Sequence, residues 1–115
     1  MTKRLIIIES PFSGDIPKNE EYARQCVKDS LLRGESPIAS HLLYTQKSIL
    51  DDHLEAEREM GILAGLAWCK VADAMVVYTD LGISKGMQQG IDNATSLELL
   101  IEYRAIKNRK HGMSG

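Results

Sequence analysis

The chain has 115 residues, 43% of them hydrophobic and 26% charged, with a formal net charge of −2. That length suits one domain burying roughly 65% of the surface its unfolded chain exposes, and the composition excludes disordered and fibrous classes. The near-neutral balance provides no global field toward nucleic acid or anionic lipid, so neither is expected as a partner.

The N-terminal apolar run, Leu5-Ile6-Ile7-Ile8, is too short for a membrane span or a signal core, which argues for a soluble cytoplasmic protein without a membrane partner. The two cysteines, Cys26 and Cys69, lie in helix-patterned segments without CxxC or Cys/His ligand spacing. They read as buried reduced thiols, with no metal site and no cofactor expected.

Residues 4–9 centre on a continuous β-branched run, the pattern of a strand buried on both faces in a parallel sheet. Ser10-Pro11-Phe12-Ser13-Gly14 breaks that run into a loop at the strand's C-terminal end. Tyr22, Ala23, Cys26, Val27 and Leu31 recur at helical spacing, acids crowd the start, and Gly34 follows, which predicts a helix over 18–33. Residues 36–40 read as a second strand running into a loop, His41-Leu42-Leu43-Tyr44-Thr45.

Met60, Ile62, Leu63, Leu66, Ala67 and Trp68 predict a helix over 54–71 whose broad apolar face packs on the sheet. Residues 74–79 read as the third strand, left through the loop Asp80-Leu81-Gly82-Ile83. Ser84 is the expected N-cap of a helix over 85–95, since its hydroxyl can accept from a free first-turn amide. Leu99 to Tyr103 reads as the last strand, although 96–98 could equally extend the helix. The basic cluster from Arg104 to His111 reads as a solvated tail over 106–115, following one domain over 1–105.

Strands alternating with helices imply an α/β, three-layer sandwich with a small, mostly parallel sheet, flavodoxin- or Rossmann-like. In such sheets ligands bind at the strands' carboxyl ends, where three loops converge: 10–14, 40–45 and 80–86. Ser84 and Gly86 open a helix whose free amides suit a phosphate or carboxylate. His41, with Tyr44 nearby, could donate to a ligand, act as an acid, or bond backbone. Asp80 is the functional carboxylate of its strand end, whereas Asp73 reads as a turn or capping residue. No Walker A, GxGxxG or GxSxG sequence is present.

Glu9-Ser10-Pro11-Phe12, Pro37-Ile38-Ala39-Ser40-His41, Ala72-Asp73-Ala74 and Gly82-Ile83-Ser84-Lys85-Gly86-Met87 together resemble the nucleoside 2-deoxyribosyltransferase superfamily, especially its small bacterial and phage members. The resemblance implies a nucleoside or nucleotide ligand and N-glycosidase (hydrolase) or deoxyribosyltransferase chemistry, with a glutamate attacking the anomeric carbon. It also implies a homo-oligomer, for which the helix over 54–71 is the candidate interface. Ser10, Phe12, Ser13, Gly14, His41, Tyr44, Ser84, Gly86 and Met87 are the expected ligand contacts.

The nucleophile's position falls on Gln88 in one register and on Gly90 in another. Either way the carboxylate is absent, and an amide cannot replace its charge. Asp92 shares a helix face with Gln88 and, with Asp80, is the nearby candidate for a catalytic carboxylate. Three readings stay open: an enzyme, a silent nucleotide binder, and a structural oligomeric module.

Overall fold

The computed structural model describes residues 3–107. β1 (Leu5–Glu9) is followed by α1 (Ile16–Leu32), β2 (Ser36–Ile38), the short α2 (Ser40–Leu43), α3 (Glu55–Trp68), β3 (Ala74–Tyr78), α4 (Lys85–Ser96) and β4 (Leu100–Arg104). All strand pairs are parallel, in the order β2-β1-β3-β4. The α/β, flavodoxin-like expectation is met, and the chain reverses direction across the sheet between β1 and β3, where open sheets form ligand crevices.

Alternation along the central strands divides the core in two. Ile6, Ile8, Val76 and Tyr78 pack with Tyr22 and Cys26 of α1, whereas Ile7, Met75 and Val77 pack with Met87, Ile91 and Ala94 of α4. Burying such aliphatic side chains contributes about 1.5–3 kcal/mol each. Both cysteines are buried free thiols.

α1 begins earlier than its periodicity suggests because Asp15 caps it, accepting from the Lys18 amide, with a proline in the first turn. Glu20 and Glu21 therefore fall beyond that turn, contrary to expectation. The helix ends on Gly34, whose φ of +87° suits glycine and lets the Glu35 amide reach the Ser30 carbonyl. α4 stops at Ser96, and Glu98, at φ +60°, turns the chain into β4. Asp73 has its capping role: its carboxylate accepts from the Leu5 amide at 2.7 Å, and its own amide donates to the Leu5 carbonyl.

Two expectations need correction. α3 does not lay its apolar face on the sheet, since none of its residues is buried and it packs instead on α2. Gly65 makes that contact possible, since a Cβ there would lie 3.2 Å from Ser40 Cβ, while Gly61 packs on the segment after α2, where a Cβ would lie 3.2 Å from Leu50 Cδ1. Met60, Ile62, Leu63 and Val71 are each more than half exposed.

Nor is Arg104 part of a solvated tail. It closes β4, and its side chain is only 11% exposed, paired with Glu35. The remainder of the expected tail lies, from residue 108 onward, outside the described residues.

Candidate functional site

β1 delivers Glu9 and Ser10 to opposite sides of the sheet's carboxyl edge, because successive strand residues alternate. Ser10 is buried, and its hydroxyl shares a 2.6 Å hydrogen bond with His41 Nε2, the donor depending on the tautomer. His41 sits in α2, where helical backbone bonds to the Ala39 and Ser40 carbonyls replace the expected loop. Burial pushes its imidazole down to about 4, so the ring is neutral at physiological pH and acts as one donor and one acceptor.

Beyond Ser10 the loop carries Phe12, Ser13 and Gly14. Asn19 of α1 fixes the loop by donating from Nδ2 to the Phe12 and Ser13 carbonyls, each at 3.0 Å. Phe12 then forms one wall of an open cleft of about 480 Å³, shared with Ile16, Glu20 and residues 45–53. That volume lies in the range of small-molecule sites. Tyr44 is turned away toward α3, where its hydroxyl accepts from Trp68 Nε1 at 2.9 Å.

The third loop behaves differently. Asp80 is fully engaged: Tyr22 donates to its Oδ1 at 2.6 Å, and the Ile106 and Lys107 amides donate at 3.0 and 3.1 Å. These donors outweigh its desolvation and hold its carboxyl below the usual aspartate range. Ser84 caps α4 as expected, accepting from the Met87 amide, and Gly86 beside it is open to solvent. Met87 is instead a core residue at 1% exposure.

Helix phase separates the two candidate nucleophile positions. Gln88 and Asp92 are both exposed and pair with each other at 2.9 Å on the solvent side of α4. Gly90, flanked by the buried Met87, Ile91 and Ala94, faces the end of β1. A Cβ built at Gly90 would overlap Glu9 Oε2, so the Glu9 carboxyl stands where a position-90 side chain would begin.

Sequence reasoning did not single out Glu9. The available signal was an acid closing a strand buried on both faces, in phase with Ile7. Burial alone pushes its carboxyl up to about 8. Among the described residues it makes no hydrogen bond and no ion pair. Next to it, Cys69 carries a thiol raised by burial and by the Glu9 charge, and partly lowered by a side-chain contact with Asn93, one turn after Gly90.

Among the described residues no cluster of three or more His, Cys, Asp or Glu side chains could hold a metal ion, and no helix is long and apolar enough to cross a membrane.

The fold is similar to that of a solved 2-deoxyribosyltransferase from the psychrotolerant bacterium Bacillus psychrosaccharolyticus, described as a biocatalyst for nucleoside synthesis. The TM-score is 0.62 at 16% sequence identity, over 88% of this chain and 72% of that one. A search of curated proteins finds no match. A family model described as a domain of unknown function, DUF7768, matches residues 4–104, and the chain belongs to that family.

Proposed function

We propose that this protein recognises a nucleoside or nucleotide at the carboxyl edge of its sheet. The observation carrying the reading is the cleft between Phe12, the start of α1 and residues 45–53, in a fold similar to that of a 2-deoxyribosyltransferase. Phe12 offers a face for a base to stack on, while Ser13, Gly14 and the start of α4 at Ser84 and Gly86 offer polar groups to sugar or phosphate. The Ser10–His41 pair stabilises the floor of the β1 loop. Gln88 and Asp92 pair with each other on the solvent side of α4.

The reading extends to a homo-oligomer. α3 presents Met60, Ile62 and Leu63 outward, a face that monomers seldom leave open.

The test is isothermal titration with ribo- and deoxyribonucleosides and their 5′-monophosphates. Saturable binding by at least one, weakened by Phe12→Ala, is the expected outcome. No heat and no thermal shift across the panel would overturn the reading.

A further inference from the structure

We propose that the Phe12 cleft selects its ligand by charge, favouring a nucleoside whose base is positively charged, such as one alkylated on a ring nitrogen, and turning away a 5′-phosphate. The assignment rests on the nucleoside reading of the cleft.

The cavity is lined asymmetrically. Glu20 of α1, Asp51 and Asp52 of the segment before α3, and Glu57 of α3 all border it, against the single ammonium of Lys47. The whole chain carries a formal charge of only −2, so this excess is local. A cleft lined by one sign of charge, with walls of low dielectric, focuses its field on whatever enters.

These carboxylates are held in place without being neutralised. Gln46 Nε2 donates to Glu20 at 3.3 Å, the Asp51 amide donates to Glu57 Oε1 at 2.9 Å, and the His53 amide donates to Asp51 Oδ1 at 2.9 Å. All three donors are uncharged. Away from the cleft the pattern differs, since Glu21, Asp29, Glu35 and Glu102 each pair with an arginine. None of the four cleft acids has an ion pair among the described residues, so their charge stays available to a ligand.

Phe12 adds to the same preference. It is half-buried, and Asn19 fixes its backbone at the cleft wall. The face of an aromatic ring is electrostatically negative, so a cationic ring stacked on it is held more strongly than a neutral one. Alkylation of a ring nitrogen gives a base a positive charge and leaves it flat, which meets both requirements. A 5′-phosphate instead brings roughly 1.5 to 2 negative charges into the same space. Two unit charges 4 Å apart change affinity about fivefold even in water, so both effects are large enough to measure.

The experiment is calorimetry on the full chain at pH 7 and low salt. One series is adenosine, the cationic 1-methyladenosine, its neutral isomer N6-methyladenosine, and adenosine 5′-monophosphate. The other is cytidine, the cationic 3-methylcytidine, its neutral isomer N4-methylcytidine, and cytidine 5′-monophosphate. At least one cation is expected to bind about fivefold or more tightly than its neutral isomer, and each monophosphate about tenfold or more weakly than its nucleoside. Raising sodium chloride from about 0.02 to 0.3 M should narrow both gaps, because the field is screened. Asp52→Asn, at a carboxylate that accepts no hydrogen bond among the described residues, should narrow them by about twofold at low salt.

Monophosphates binding as tightly as their nucleosides, as a phosphate anchored on Lys47 would, overturn the selection. So does a panel in which neither cation exceeds its neutral isomer. Either result leaves nucleoside recognition intact. Gaps unchanged both by salt and by Asp52→Asn would overturn the assignment to these carboxylates, and no binding by any member of the panel would overturn the recognition reading as well.

Discussion

Arg104 donates to both oxygens of Glu35, from Nη1 to Oε1 at 2.9 Å and from Nη2 to Oε2 at 3.1 Å, tying the end of β4 to the turn before β2. The pair is largely buried, and Ser30 completes it by donating to Oε1 at 2.7 Å. Tyr78 extends the network, accepting from Arg104 and donating to Asp29. Removing one partner leaves a buried charge unmatched, so Arg104→Ala is expected to cost about 3–5 kcal/mol in urea unfolding. A loss below about 1 kcal/mol would mean that the pair behaves as an exposed one.

Acid should weaken the same pair. The Arg104 guanidinium holds the Glu35 carboxyl below its ordinary 4.5. A depressed folded pKa contributes stability that is present above 4.5 and lost as pH falls through the folded value. Glu35→Gln is therefore expected to flatten the acid limb of a stability–pH curve below pH 4.5. An acid limb unchanged by the substitution would contradict this.

Glu9 and His41 should produce opposite slopes. Glu9 is raised from 4.5 to about 8, so its contribution is full below 4.5 and is lost as pH rises toward 8. His41 is lowered from 6.5 to about 4, so its contribution is full above 6.5 and is lost as pH falls toward 4. Between 4.5 and 6.5 the two largely cancel. Glu9→Gln is expected to remove the alkaline decline, giving a stability advantage that grows from pH 5 to pH 8 to on the order of a few kcal/mol. Urea unfolding at pH 4.5, 6.5 and 8 checks it, and an advantage independent of pH would count against a raised Glu9 carboxyl.

Phe12→Ala is expected to weaken nucleoside binding by about 1–3 kcal/mol, the range for stacking a base on an aromatic ring. The effect should be similar for purine and pyrimidine ligands of the same sugar, since each has a π face. Unchanged affinity would place the base elsewhere.

Light scattering should give a mass above that of one chain, and Leu63→Glu should reduce it to one chain. Because Leu63 is 59% exposed, the substitution should change monomer stability by no more than about 0.5 kcal/mol. A wild-type mass of one chain would end the homo-oligomer proposal.

The fold was legible because β1 and β3 are continuous apolar runs, which are needed only where helices cover both faces of a strand. The packing of α3 was not, since periodicity shows that a helix has an apolar face without showing what covers it. Two glycines decide the matter by allowing close backbone approach, Gly65 to Ser40 of α2 and Gly61 to Leu50 beyond it, contacts that local periodicity does not report. At the site, the Ser84 cap followed from local chemistry, and so did the loop holding Phe12. The meeting of Glu9 with Gly90 joins positions 81 residues apart, and local patterning has no access to it. Arg104 patterns with the basic residues that follow it, whereas its partners Glu35 and Tyr78 come from the turn before β2 and from β3.

The glycine contacts of α3 have a consequence for engineering. A helix held by its backbone against a neighbouring turn leaves its large side chains outside the buried core, so its outer surface can be rewritten independently of the sheet. Assembly and ligand recognition then become separable traits. The outer face of α3 could be polished to a charged surface, or matched to a different partner, while the strand ends keep their shape.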